Sequence, residues 1–489
     1  MNILIHKFKN FSLKQHLLCA LFIGLVLRFL CAYSNYGPFA LDDYLHGLIP
    51  AHLLVDYHIH ELPDYRSWLL VWILSGFLMI GKLFGVINAI SEIRVMLLGL
   101  SMLSLIGIYG CYLYVRNFNN KLFAVMAIYL VALFPLVILI STRAFGEAVA
   151  MSVLLFGVGL SEDGRFKNNL TILTIGLIVM GIACLFRFHV GLFWISYIFC
   201  LLLINLRKYL FSAVIAASAL LIMQAAVDIL SNRQVFSTIF NYLHINEGGA
   251  AGYGVTPWYS TWLLILAFVL APFSLGLFKN FKSLVKNHWL VLIPFLVFVA
   301  AHSLVPHKEE RFMFPIIGVE LMLFAWLWSF NYDRHSWAIK VFNYALAIIA
   351  IPATILVSSV NFQSGAVDPM FKSNADTIPT LVLADGWNTW DDFYKILLTP
   401  NSRVIQANLS NTTNLNKYTS IFTSPYKQLI IVSSNPELKG QFLNFANKKY
   451  ANLQCNNINY ASSLLDSIAY KLNPTHNKRR APAMYIVCK

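Results

Sequence analysis

Six consecutive residues, His307-Lys308-Glu309-Glu310-Arg311-Phe312, place five ionisable side chains between two apolar runs, Leu290–Val305 and Phe314–Phe330. Hydrocarbon cannot host such a group, so it belongs at an aqueous rim or in a polar cavity between helices. A solvated turn is the ordinary explanation, but both signs of charge are mixed within one tight turn. Four further polar clusters can also be brought to the same membrane face. One is the loop Gly37–Tyr44 with Asp42 and Asp43, followed by His46, His52, Asp56, His58, His60, Glu61, Asp64 and Arg66. Another is Ser141–Glu147, where Arg143 and Glu147 are spaced to share a helix face. The third is the cationic pair Arg187 and His189, and the fourth is Gly252–Tyr259, with Tyr253 and Trp258. A carboxylate pair and several cations on one cavity is the chemistry of a base opposite an anionic leaving group.

Each cluster also has a purely structural explanation. Asp42 and Asp43 can cap a helix that begins at Tyr44. Arg143 with Glu147 can be a structural ion pair, and the aromatic-rich cluster an interfacial belt. His58 and His60 invite a metal, but no carboxylate–histidine spacing there matches a known site, so none is expected.

The elements that position these clusters follow from composition. Over 489 residues, 58% are hydrophobic and 12% charged, and the mean hydropathy is +0.65, which excludes a water-soluble globule. Apolar runs recur almost throughout residues 16–358, as in a polytopic helical membrane protein. The net charge of +14 lies largely in short loops between those runs, so it reads as the positive-inside bias and not as a nucleic-acid surface. Lys7, Lys9 and Lys14 precede the run Leu17–Tyr33 without a small-residue cleavage site after it, so the run reads as an uncleaved first span. Basic loops at the N-terminus, 116–121, 165–167, 207–208, 279–286 and 334–340 mark the cytoplasmic side. The predicted spans are 16–33, 94–115, 121–141, 146–160, 170–186, 190–206, 210–230, 259–278, 288–305, 312–330 and 338–358, eleven in all.

Trp68–Val86 has no place in that count, because a crossing there would move every later basic loop outside. It reads as an interfacial helix on the outer face, with Trp68, Trp72 and Lys82 as anchors. The transmembrane domain then covers residues 1–358. Residues 359–489 turn polar and carry short β-like runs (Thr380–Leu383, Gln428–Val432, Met484–Val487) and a helical stretch, Pro436–Tyr450. They predict an extracytoplasmic α/β domain of about 130 residues. The seven cysteines include no C-x-x-C pair, and Cys455 and Cys488 can bond if the tail is extracytoplasmic.

The motifs resemble those of glycosyltransferase family 22, the lipid-phosphate-mannose-dependent α-mannosyltransferases that extend N-glycan precursors and GPI-anchor cores. The family's H-K-E-x-R-F-x-x-P stands as His307–Phe312 with Pro315, and its Y-G-x-x-P-W-x-x-Y is similar to Tyr253–Tyr259. Its H-P-D-E-x-x-Q is similar to Ala40–His46, with Asp43 for the glutamate and no His-Pro, and its R-S-x-x-x-P to Arg66-Ser67 without the proline. Thr142–Glu147 resembles a shortened form of the next motif, and Arg187–Val190 the R-P-T-A-like site. The resemblance runs in family order from about residue 38 to 315. It implies the all-α polytopic GT-C fold, with about eleven transmembrane helices and outer-face interfacial helices.

It also implies transfer of mannose from a polyprenyl-phosphate-mannose donor to a lipid-linked glycan or glycolipid acceptor, with inversion. Asp42 would be the base and Asp43 the second choice. Arg66, Arg143, Glu147, Arg187, His189, Tyr253, Trp258, His307, Lys308, Glu310 and Arg311 would bind donor or acceptor. Neither a cofactor nor a metal is expected, because a lipid phosphate can leave without one. The alternatives are a GT-C enzyme using another polyprenyl-phosphate sugar and a non-enzymatic polyprenyl-lipid transporter. The membrane is a bacterial inner membrane or the endoplasmic reticulum, with the site on the extracytoplasmic face. The charge pattern predicts that a reporter fused after Ser358 is extracytoplasmic and one at Lys282 cytoplasmic. Labelling of a cysteine near Gly76 from the cytoplasmic side would overturn the interfacial helix and shift every later span.

Overall fold

Helices occupy nearly all of residues 13–359, as they must where backbone N–H and C=O groups have no water to bond. The computed structural model describes residues 10–249, 254–332, 337–362, 375–385, 396–399, 401–406, 426–433, 455–461, 463–474 and 483–488, with isolated positions between the later segments. The chain forms two compact units. One comprises Met1–Ala32, Leu62–Ile73 and Leu98–Ser358, and the other Tyr33–Glu61, Leu74–Leu97 and Ser359–Lys489.

Among the described residues, six helical segments are long and apolar enough to cross a bilayer: Leu13–Ser34, Ala89–Val115, Leu206–Leu230, Leu275–Leu304, Glu310–Tyr332 and Trp337–Ser359. The pair Lys121–Leu133 and Pro135–Ser141, bent by 51°, would make a seventh. Leu69–Leu83, Leu170–Phe186 and Phe188–Ile204 are apolar but shorter. The chain is a multi-pass membrane protein. The expected span 259–278 is not one helix. It breaks after Ser260–Phe268 and resumes as a 3-10 segment, Leu275–Asn280, that leads into Phe281–Leu304. Pro272 explains the break, since proline lacks an N–H and bars the residue before it from helical geometry.

Proline also explains a buried charge in the first helix. Arg28, 1% exposed, donates to the carbonyls of Ala132 at 2.7 Å and Val131 at 3.3 Å. The helical partner of the Val131 carbonyl would be the N–H of residue 135, which is proline. The guanidinium thus satisfies backbone acceptors that the bend sets free.

Helix Gly146–Phe166 is buried along almost its whole length. A Cβ on Gly110 would lie 2.4 Å from the Phe156 Cα, and one on Gly157 would lie 2.6 Å from the Met180 nitrogen. Glycines thus let the helix approach Leu105–Val115 and Leu170–Phe186 at backbone distance, the small-residue packing that serves in lipid. Its C-terminal end is fixed by charge: Asp163 pairs with Arg116 at 2.7 Å and Lys167 at 2.9 Å, and Glu162 with Arg165 at 2.6 Å.

The second unit carries a five-stranded sheet of order β2-β1-β3-β5-β4, with β1 Thr380–Asp385, β2 Arg403–Gln406, β3 Gln428–Ser433, β4 Cys455–Ala461 and β5 Ala483–Cys488. β2, β1 and β3 run parallel, and β5 is antiparallel to both β3 and β4. The three β-like runs read from sequence are β1, β3 and β5. β2, β4 and the helix Leu464–Leu472 add to them. Cys455 and Cys488, opposite each other in β4 and β5, are disulfide-bonded. The expected helix Pro436–Tyr450 lies outside the described residues.

Candidate functional site

The two adjacent carboxylates of the first outer loop differ sharply in setting. Asp43 is 2% exposed, and its oxygens accept from the Phe39 N–H at 3.0 Å and the Tyr44 N–H at 3.1 Å. It closes the loop onto the π-helical turn Tyr44–Leu48 and so fills the capping role. The Asp42 side chain keeps 20% exposure, and its Oδ1 lies 3.9 Å from His46 Nε2, one turn on. A base needs a reachable carboxylate, and of the two Asp42 is the reachable one.

In the same unit His52, Asp56 and Glu92 each bring a ligand atom within 4.8 Å of the others, the arrangement of a cation site. The cation there is Lys82, whose ammonium lies 2.9 Å from Asp56 Oδ2 and bonds Glu92 Oε1. His52 Nδ1 bonds Glu92 Oε2 at 2.8 Å. Sequence spacing could not show this group, because its members come from three helices.

In the first unit, helix Pro135–Ser141 ends before Arg143, and a new helix starts at Gly146 after an extended Phe145. Arg143 and Glu147 therefore do not share a helix face, contrary to the expectation from their spacing. Glu147, fully buried in the first turn of the new helix, pairs with Arg187 at 2.6 Å. Arg187 sits in the break between helices Leu170–Phe186 and Gly191–Ile204. Gly146 makes this approach possible, since a Cβ there would lie 2.5 Å from the Phe186 carbonyl oxygen. His189 follows in the same break and hydrogen-bonds the Phe312 backbone, while its Nε2 is buried without a partner among the described residues. Burial, with the nearby His302 and Arg66, holds His189 well below its usual pKa.

Arg66 acts electrostatically on both His189 and Tyr242, which places it with this group. Its backbone is held by Arg233, which donates to the carbonyls of Arg66 at 2.6 Å, Pro63 at 3.0 Å and Leu62 at 3.1 Å. Arg233 also donates to Thr238 Oγ1 at 3.1 Å, and that hydroxyl donates to the fully buried Asp228 at 2.5 Å. No motif flags Arg233, and its role depends on a contact 167 residues away.

The His307–Phe312 turn is an internal clamp. Glu309 accepts from Arg311 Nη2 at 3.0 Å and lies 3.0 Å from His307 Nε2, so one carboxylate fixes two of the expected ligand-binding cations. The Lys308 ammonium donates to the carbonyls of Val305 at 2.6 Å and Thr256 at 3.0 Å. It ties the turn to the Gly254–Tyr259 loop, and desolvation lowers its pKa. Glu310 is exposed and has no partner among the described residues. Beside the turn lies a recess of about 160 Å³ lined in part by Thr256, Ser260, Thr261, His302, Lys308 and Glu310. Trp258 is 65% exposed and outside that lining, as an interfacial ring would be. Tyr253 lies outside the described residues.

Solved structures share this fold. ArnT from Cupriavidus metallidurans in the apo state aligns with a TM-score of 0.61 at 10% identity, covering 96% of this chain and 97% of that one. The same protein bound to undecaprenyl phosphate aligns at 0.57 and 11% identity, with the same coverage. The Archaeoglobus fulgidus oligosaccharyltransferase aligns at 0.52 and 14% identity, over 89% of this chain and 70% of that one. At these identities the likeness shows that the chain shares their fold. Residues 7–378 match the model of the Alg9-like mannosyltransferase family, and the chain belongs to that family. It is also 26% identical over 221 residues to GPI mannosyltransferase 3 of Saccharomyces cerevisiae, a match over 40% of this chain and 36% of the relative's length.

The Glu147–Arg187 pair yields a direct test. Removing one partner of a buried pair leaves an uncompensated charge and costs about 3–5 kcal/mol, whereas removing both costs much less. Glu147→Gln and Arg187→Gln should each lower the thermal midpoint of the detergent-purified protein, and the double variant should recover most of the loss. Additive losses would show that the pair does not hold the break together.

Proposed function

We propose that the chain is an inverting membrane mannosyltransferase that moves mannose from a polyprenyl-phosphate-mannose to a hydroxyl of a lipid-linked glycan or glycolipid. The observation that carries this reading is the contrast between Asp42 and Asp43. One carboxylate is reachable and the other is locked by two backbone N–H groups. Membership of the Alg9-like mannosyltransferase family supports the reaction class.

In the reaction the acceptor oxygen forms a bond to the anomeric carbon from the face opposite the phosphate. The bond from that carbon to the phosphate oxygen breaks, and the lipid phosphate leaves with the electron pair. Asp42 takes the acceptor's proton. Arg66, Arg143, Arg187 and Arg311 are the cations assigned to donor and leaving phosphate, where a low-dielectric setting strengthens their effect. Glu147 and Glu309 keep two of these cations in place. Trp258 and Tyr253 are assigned to the lipid–water boundary of the substrate.

The eleven-span topology and an extracytoplasmic domain over residues 359–489 belong to the same reading. The bonded Cys455 and Cys488 support it, because disulfides persist in oxidising compartments. Such a compartment lies beyond a bacterial inner membrane or within the endoplasmic reticulum. A polyprenyl-lipid transporter is the alternative, and it needs cations but no base.

Asp42→Asn is nearly isosteric and should leave the fold intact while lowering hexose transfer about 10²–10⁴-fold. Asp43→Asn, which disturbs a buried cap, should lower the thermal midpoint instead. Transfer measured with purified protein in liposomes separates the two. Near-wild-type transfer by folded Asp42→Asn protein would remove Asp42 as the base.

A further inference from the structure

We infer that the recess beside the His307–Phe312 turn is a pyranose subsite, which takes the hydroxyl-bearing ring of a sugar and not the phosphate. The inference rests on the glycosyl-transfer reading and assigns one part of the substrate to one wall of the protein.

The wall carries two carboxylates, Glu309 and Glu310, against one ammonium, and two donors of that ammonium are already given to backbone carbonyls. Arg311 meets the charge of Glu309, so Glu310 is left to oppose the one ammonium and the wall offers an anion no net positive charge. The groups with open hydrogen-bonding capacity are of another kind. His302 is 8% exposed, and its Nδ1 lies 2.8 Å from the Phe298 carbonyl. A carbonyl only accepts, so Nδ1 carries the hydrogen and the neutral ring presents a bare Nε2 lone pair, which no described residue engages. The hydroxyls of Thr261, 4% exposed, and Ser260 likewise have no side-chain partner among the described residues. Glu310 adds an unpaired carboxylate.

Two strong acceptors and two hydroxyls call for a ligand rich in O–H donors. Polar groups without partners are costly where water is scarce, so a recess of this composition suits a matching polar ligand or water. Its volume of about 160 Å³ is on the scale of one sugar ring with its hydroxyls and far less than a whole lipid-linked glycan. The ring can belong to the donor or to the acceptor.

The test uses the full chain in liposomes with three variants. Thr261→Val is nearly isosteric, Glu310→Gln keeps shape but removes charge, and His302→Phe keeps the ring stacked on Phe298 but removes both nitrogens. Each should raise KM about threefold to tenfold for one of the two substrates, the loss expected for a single hydrogen bond. A rise for donor alone names the donor sugar, and a rise for acceptor alone names the acceptor sugar. In saturation-transfer NMR, methyl α-D-mannopyranoside should bind the wild type and lose signal in Thr261→Val, and inorganic phosphate should not displace it. Unchanged KM values for both substrates in folded Thr261→Val and Glu310→Gln, or displacement of the mannoside by phosphate, overturns the subsite. Wild-type protein that transfers no hexose from any polyprenyl-phosphate sugar defeats the proposed function itself, a distinguishable result.

Discussion

Charge buried among helices must be paired, and the Glu147–Arg187 contact is where this constraint shapes the molecule most. Glu147 stands fully buried at the start of the central helix Gly146–Phe166, and Arg187 stands in the break between two later helices. Neither could be buried alone, since an unpaired charge in low dielectric is strongly destabilising. Their pairing fixes the break that also carries His189, and His189 in turn bonds the backbone of Phe312 in the clamped turn. The opposite end of the same helix is held by Asp163 with Arg116 and Lys167. One helix anchored by charge at both ends and by glycine contacts along its length is the scaffold for the first unit's polar groups.

The turn His307–Phe312 shows how a motif can be correctly located and only partly understood. Its sequence marks a polar feature between apolar runs, and the structure lines a recess with it. What the sequence does not show is the division of labour. Glu309 holds His307 and Arg311, Lys308 holds a neighbouring loop, and Glu310 lies exposed in the wall of the recess. Like-charged neighbours in sequence have opposite fates because each next residue in a turn points in a new direction. Asp42 and Asp43 repeat the lesson: one caps, one is reachable.

Elsewhere, legibility followed the range of the interaction. Most of the apolar runs are helical, and the strands β1, β3 and β5 stand where periodicity puts them, because these are local patterns. β2, only four residues long, carries too little alternation to read. The break at Pro272 was legible in principle, but the apolar character of 259–278 masked it. The Arg28 contact to carbonyls freed by Pro135, the Arg233 hold on residues 62–66 and the Lys82 group all join distant segments. Such contacts depend on which helix meets which, and no spacing in a single sequence encodes that.

The proposed reaction adds one hexose to a lipid-linked acceptor on the extracytoplasmic side of the membrane. Mass spectrometry of lipid-linked glycans and glycolipids from cells with and without the protein tests it most directly. The account predicts that cells lacking it accumulate a species shorter by one hexose, and that the wild-type chain but not Asp42→Asn restores the full length. An unchanged glycolipid profile in its absence, or full restoration by Asp42→Asn, would contradict it.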